Sequence, residues 1–361
     1  MDKMMQEEQL IRWYEAIKNF KKKEADDFKK FFESFPHLFS DPKVKRLYQL
    51  FTARYFLMYY QYDQAAANLS DAAPEEWEGD YQLNYYYYFF QGILFYHLND
   101  YRKAMRHLTK AEPIVKIVGS DKELAEFDCI LAAVYQRTYH FILSNDYAEQ
   151  ALDIFLNNHH YLRSAHCECL IALNYMNMKQ YKEAETFLRR ALRHSAKVKD
   201  EQVKMMVLHN FGIFYARINR PKIALNYLTQ ALELIHSDWD YAKVQNLFLS
   251  AECFYNAGHP EKAKRMLMRA EALAHQTNLE GYSHRCKMAK AKFYNQDDLK
   301  EVYEDGIAYL KTNERWDLVS KYSEELASFY KKEQQYEKAC HFYTMALEAL
   351  NIMNQAQMLS L

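Results

Sequence analysis

The sequence is poor in the residues that break regular structure. Of its 361 residues, 7 are glycine and 6 are proline, about 3.6% where soluble proteins average about 12%. Long unbroken elements must dominate, which argues against a sheet-rich fold with many tight turns. No run of 18 apolar residues occurs, so a membrane-spanning helix is not expected. The opening Met1-Asp2-Lys3-Met4-Met5-Gln6-Glu7-Glu8 is acidic where a secretory signal needs a cationic region. The expectation is a cytoplasmic chain with no membrane partner.

Charge of one sign is also missing: 47 Lys+Arg face 48 Asp+Glu. Residues 1–60 carry 12 basic and 9 acidic side chains, too small an excess to suggest phosphate neutralisation, so no direct nucleic-acid partner is expected. The cysteines Cys129, Cys167, Cys169, Cys253, Cys286 and Cys340 contain no C-x-x-C pair and read as apolar fillers of a reduced core. Cys167 and Cys169 with His166 do not make a metal site, because positions i and i+2 of a helix face apart. There is no G-x-G-x-x-G, P-loop, G-x-S-x-G or H-E-x-x-H. Neither a catalytic residue, a metal nor a cofactor is expected.

What is present is self-similarity. Starting from Gly212, an aromatic follows after 3 positions (Tyr215), then Ala224, Leu228 and Ala231 after 12, 16 and 19. The small residue lets two antiparallel helices approach, the aromatic fills the space beside it, and the alanines mark where the second helix crosses its neighbours. The frame recurs at Gly92, Ala132, Ala172, Ala251 and Ala327, with spacings of 40, 40, 40 (to Gly212), 39 and 76. The longest gap holds one degenerate copy near Tyr282 to Leu310. Seven helical hairpins follow, resembling the tetratricopeptide repeat lengthened from its usual 34 residues or so. The predicted fold is all-α, an N-terminal three-helix bundle followed by a seven-repeat TPR-like right-handed solenoid.

Residues 1–62 stand outside the frame and form the predicted bundle. Leu10, Trp13, Tyr14 and Ile17 make one stripe; Phe28, Phe31, Phe32 and Phe35 make a second, stopped by Pro36. A third helix opens at Ser40-Asp41-Pro42 and shows Leu47, Phe51, Tyr55 and Met58. Residues 63–82, with Pro74 and Gly79, read as a partly helical linker, and residues 83–361 as the repeat domain.

Stacked hairpins curve, so the inner faces of the first helices suit an extended peptide. Asn177, Asn210, Ile213, Arg217, Phe248, Tyr255 and Asn256, with Phe89 further up, are the candidate peptide-binding residues. Asparagine fits because one amide both donates to and accepts from a peptide backbone. Most of the 31 Tyr and 22 Phe fall at helical spacing within the frame and read as core. Lys21-Lys22-Lys23, with Lys29 and Lys30, reads as a solvated face.

Three stretches carry a likeness: Ile11-Arg12-Trp13-Tyr14-Glu15-Ala16-Ile17, Tyr87-Tyr88-Phe89-Phe90-Gln91-Gly92 and Gln150-Ala151-Leu152-Asp153-Ile154-Phe155. With a bundle ahead of long repeats, the chain resembles the Rap proteins of bacilli, cytosolic regulators controlled by secreted Phr pentapeptides. That resemblance implies a transcriptional regulator as partner, held by the bundle and released or modulated when the pentapeptide occupies the groove. The alternative it implies is an aspartyl-phosphate phosphatase of a sporulation response regulator, which uses a bundle glutamine to orient water. Aligned on Leu47-Tyr48-Gln49-Leu50, that glutamine falls on Pro42, which has no side-chain amide, and Gln49 matches a structural position. Asn210 matches the family asparagine that grips the peptide backbone, and Asn174 another family position. The family's acidic residue for a peptide cation falls on Asn177, implying a peptide with no strong need for arginine at its second position. The apolar tail Met353 to Leu361 leaves room for a homo-oligomer.

Overall fold

The computed structural model describes residues 3–35, 41–72, 79–236, 239–295 and 297–358. Every regular element among them is a helix. The chain divides into two compact units, residues 1–137 and 138–361. Pro36, Ser40, Pro74 and the tail residues Leu359, Ser360 and Leu361 lie outside the described residues.

Unit 1 holds α1 (Lys3–Lys18), α2 (Lys22–Ser34), α3 (Pro42–Met58), α4 (Tyr62–Asp71), α5 (Tyr81–His97), α6 (Tyr101–Val118) and α7 (Asp121–Arg137). The aromatic stripes converge as the sequence requires. Trp13 is fully buried, donates from Nε1 to the Ala25 carbonyl at 3.0 Å, and packs on Phe32 and Tyr48. Tyr14 stacks on Phe51 with centroids 4.7 Å apart and meets Tyr86 edge-on at 5.1 Å. The first three helices are thereby packed onto α5 through rings that bury large apolar area. At the start of α3 the Asp41 carboxylate accepts from the backbone N–H groups of Lys43 and Val44, and Pro42 takes the first helical position, where no N–H is needed. The segment expected as a linker contains α4, which buries Ala65 and Leu69.

Unit 2 holds α8 (Phe141–Asn157), α9 (Tyr161–Asn177), α10 (Tyr181–Ser195), α11 (Glu201–Arg217), α12 (Pro221–Glu233), α13 (Asp240–Asn256), α14 (Pro260–Gln276), α15 (Glu280–Tyr294), α16 (Leu299–Thr312), α17 (Trp316–Lys332) and α18 (Tyr336–Met358). In chain order α5 to α18 make seven pairs, the second having one helix in each unit. The small frame positions are fully buried at Ala132, Ala172, Ala251 and Ala327. At Gly212 an added Cβ would come within 2.4 Å of Leu228 Cδ2, and at Gly92 within 2.6 Å of Leu108 Cδ2. This close approach is what the repeated small residue provides.

The frame has a further position that the sequence pattern did not reveal. Seven residues after each small residue the backbone turns left-handed: Asn99, Tyr139, Lys179, Asn219, Gly258 and Gln334 have φ between 56° and 78°. The next N–H then bonds back to the carbonyl of the frame aromatic, as in Gln180 to Tyr175 and Arg220 to Tyr215, both at 2.8 Å. At five of these six turns the conformation that glycine usually takes is adopted by asparagine, tyrosine, lysine or glutamine. That is how a chain with so little glycine still turns tightly.

Within unit 2 the first helices α9, α11, α13 and α15 pack on one another in series, while the second helices α10, α12, α14 and α16 make no comparable contacts among themselves. The unit therefore curves with its first helices inside. Side chains meet across this inner side: Lys321 on α17 pairs with Glu252 on α13 at 3.0 Å. Near its ends the Tyr139 hydroxyl, just before α8, donates to Asp317 Oδ1 on α17 at 2.9 Å.

Candidate functional site

The nine candidate residues do not share one environment. Phe89 belongs to unit 1, where it is buried between Tyr85 and Phe127 at centroid distances of 5.4 and 5.7 Å. The other eight belong to unit 2. Phe248 is buried in the core beside Leu247 and Ala251, with only its ring face turned toward Arg285. Both phenylalanines are packing residues; their helical spacing lies within the core stripe. Ile213 packs, half-buried, against the core formed by α9, α10 and α11.

Asn174 is completely buried. Its Nδ2 donates to Ser144 Oγ at 2.7 Å and Asn145 Oδ1 at 2.8 Å, tying α9 to α8. Its Oδ1 is buried without a hydrogen-bond partner, an acceptor whose unmet bond costs about 1–3 kcal/mol. Asn210 is also buried, with its amide beside the Cys169 thiol. Burial pushes that thiol up to about 12, so Cys169 is an uncharged donor or acceptor and not a nucleophile.

The remaining candidates reach solvent. At the C-terminal end of α11, Arg217 donates from Nη1 to Asn177 Oδ1 on α9 at 2.8 Å. Although Arg217 keeps accessible surface, desolvation by the surrounding helices lowers its pKa, and the field of Asp317 opposes this. Tyr255 stacks on Phe293 with centroids 3.8 Å apart, and Asn256 is exposed beside it.

Three charged residues absent from the candidates occupy the inner side of α13, α15 and α17. Glu252 is half-buried. Desolvation works against its carboxylate, yet Lys321, Arg285 and Lys292 outweigh that penalty and hold its pKa below the ordinary value. Arg285 lies over the Phe248 and Tyr282 rings at 4.3 and 4.6 Å. Glu252 was within reach of sequence reasoning, since it follows Ala251 as Ile213 follows Gly212. Arg285 sits in the degenerate copy, which has no register to read, and Lys321 lies ahead of its frame start.

Unit 1 presents a different surface. A shallow groove of about 670 Å³ runs along α1 and α2, lined by Gln9, Lys21, Lys22, Lys23, Phe28 and Phe31 among others. Beside it Phe31 and Phe35 are 40% and 42% exposed, large for aromatic side chains at helical core spacing.

Two family descriptions match parts of the chain: tetratricopeptide repeat over residues 163–235, and DHR-2, Lobe A over residues 223–355. The regulatory protein RapD of Bacillus subtilis (strain 168) is 24% identical over 337 residues, spanning 92% of this chain and 95% of RapD. The transcriptional activator NprA of Geobacillus stearothermophilus is 24% identical over 360 residues, spanning 95% of this chain and 87% of NprA. The chain is thus similar over nearly its whole length to Rap-type regulatory proteins. A crystal structure of a Rap protein complexed with competence and sporulation factor has a TM-score of 0.88 at 21% identity, covering 98% of this chain and all of that one. The Rap-like architecture thus extends from the bundle through the repeats. No helix among the described residues is long and apolar enough to cross a membrane.

Proposed function

We propose that this chain is a cytoplasmic, peptide-regulated quorum-sensing regulator. A secreted signalling pentapeptide lies along the inner side of unit 2, and the N-terminal helices hold a transcriptional regulator, a DNA-binding response regulator or repressor, whose release the peptide controls. The observation that carries this reading is the polar inner side of α9 to α17. There the Arg217–Asn177 and Glu252–Lys321 pairs stand accessible on first helices packed side by side. Behind them Asn174 is buried against Ser144 and Asn145 and Asn210 against Cys169, while Tyr255 and Asn256 extend the face toward α15. Residues 1–62 are the target-binding bundle, 63–82 the connector and 83–361 the peptide-binding domain. The target is a protein and not DNA itself; pairing of two chains through the C-terminal tail is part of the same proposal.

Peptide control requires that the ligand bind one arrangement of the chain more tightly than another. The groove between α1 and α2, with its lysines and exposed Phe31, is where a target would feel such a change. The phosphatase alternative finds little support at α3, where Pro42 and the Asp41 cap occupy the helix start and no amide side chain stands at that position.

The test is affinity capture from the source organism's lysate with and without its culture-supernatant peptides, followed by phosphate release from the phosphorylated form of any captured response regulator. The expected result is one DNA-binding regulator whose capture changes with peptide and whose phosphate is stable. Rapid phosphate loss would establish the alternative, and capture indifferent to supernatant would remove the peptide from the account.

A further inference from the structure

Around Glu252, where α13, α15 and α17 meet, three cations face two carboxylates. Lys321 Nζ lies 3.0 Å from Glu252 Oε1, and Arg285 and Lys292 also face that carboxylate. Lys292 is engaged by Glu325 at 2.9 Å, and Glu325 further accepts from the Tyr303 hydroxyl at 2.8 Å. Two carboxylates therefore serve three cations. Arg285 is the one with no carboxylate within 4.0 Å among the described residues.

Its guanidinium is nonetheless held in place. It rests on the Phe248 ring at 4.3 Å and the Tyr282 ring at 4.6 Å, and the buried Tyr322 hydroxyl stands beside it. The Lys321 ammonium lies over the Tyr322 ring at 5.1 Å, which brings the second cation to the same spot. A planar cation fixed on aromatic faces loses little entropy when its N–H fork meets a carboxylate, and the fork matches that group bidentately. Ring faces attract the charge without neutralising it.

We propose that Arg285, with Lys321 beside it, receives a carboxylate, and that the free C-terminus of the linear peptide held on this side supplies it. The inference rests on the peptide reading above and specifies which end of the peptide lies by α13, α15 and α17. Every unmodified linear peptide carries this group once and at a known end, so the site sets binding direction and register whatever the peptide sequence. An aspartate or glutamate side chain offers the same chemistry, and the test separates the two sources.

Two random pentapeptide libraries, one of free acids and one of C-terminal amides, are incubated with the full chain; peptides that co-elute on gel filtration are counted by mass spectrometry. The expected result is retention of free acids over amides by at least about tenfold, the scale of one charge-assisted hydrogen bond, and loss of that preference in Arg285→Gln. Equal retention of acids and amides overturns the proposal while leaving the peptide reading intact. Retained amides enriched in aspartate or glutamate overturn the assignment to the terminus. Retention of neither library ends the peptide reading and this inference with it. An Arg285→Gln chain that melts lower yet keeps the preference makes Arg285 a packing residue and overturns its role. The acid–amide comparison needs no variant, so a misfolded Arg285→Gln chain leaves the proposal exposed to refutation.

Discussion

Two carboxylates, Glu123 on α7 in unit 1 and Glu252 on α13 in unit 2, are built into opposite surroundings. Glu123 is 5% exposed and accepts from the Tyr14 hydroxyl at 2.6 Å, the Tyr85 hydroxyl at 2.9 Å and Lys18 Nζ at 2.8 Å. Arg54, also buried, lies close enough to feel its field. Both carboxylate oxygens are engaged, and two of the three bonded partners, Tyr14 and Lys18, come from α1 of the bundle. Glu252 is half-buried and faces a surplus of cations. A saturated carboxylate sealed from water is a fastening; an accessible one with excess positive charge around it leaves something for a ligand to complete.

The largest expected effect breaks that contrast most directly. Glu123→Ala leaves two tyrosine hydroxyls buried without their acceptor and Lys18 with Glu15 as its remaining carboxylate, a loss of about 3 kcal/mol by analogy with broken buried ion pairs. Glu252→Ala, where water can replace the carboxylate, should cost about 1 kcal/mol or less. Hydrogen exchange of the α1 and α3 amides against those of α13, with thermal melts, measures both. Equal losses would mean the two sites are the same kind of structure.

The second effect is a pH dependence that Asp128 contributes to unit 1. Asp128 on α7 is 3% exposed, and burial, with Glu112 nearby and Lys116 only partly opposing, pushes its carboxyl up to about 7. An unfolded aspartate titrates near about 3.9. Between those values the folded chain holds the extra proton, so stability from this group is present at about pH 4, falls as pH rises to about 7, and is level above that. Asp128→Asn should therefore raise unit 1 stability by about 2–3 kcal/mol at pH 8 and by little at pH 4. A gain independent of pH would refute the buried-acid account.

Much of this was legible before any coordinates. The six frame copies specify their own packing, because a small residue opposite leucine has one physical use, and Ala172, Gly212 and Ala251 stand where the period puts them. The aromatic stripes of α1 and α3 likewise announce burial at Trp13, Tyr14 and Phe51. The site was read less well. Asn177 and Arg217 face solvent as their frame positions imply, but Phe89 and Phe248 have the spacing of the core stripe, and aromatic residues at helical spacing do not reveal which face opens. The Glu252–Arg285–Lys321 cluster joins helices 33 and 36 residues apart in sequence, and only curvature brings them together. A local pattern carries no term for curvature.

A control with a smaller effect asks where the units behave alike. Gly92 and Gly212 occupy the same frame position, and an added methyl at either meets a buried leucine. Gly92→Ala and Gly212→Ala should each cost about 1–2 kcal/mol through overpacking, moderated because alanine is accepted at the equivalent Ala172. Chemical denaturation followed by domain-resolved exchange should return matching losses. A difference of more than a factor of two would show that the helix pairs in the two units pack by different rules.

The smallest expected effect compares the turns. Lys179 in unit 2 has φ 60° and Asn99 in unit 1 has φ 62°, a conformation that costs an ordinary side chain about 1 kcal/mol and asparagine less. Glycine removes that cost but also gives the unfolded chain more freedom, so the gains must be net. Lys179→Gly should stabilise by a few tenths to about 1 kcal/mol, while Asn99→Gly should change stability by a few tenths at most. Lys179 is exposed in the turn, so no lost packing obscures the measurement. Paired melts of the two variants decide the matter: a gain at Lys179 with none at Asn99 assigns the cost to the side chain. Equal gains would show that the turn itself is strained in both units, and that asparagine offers no relief there.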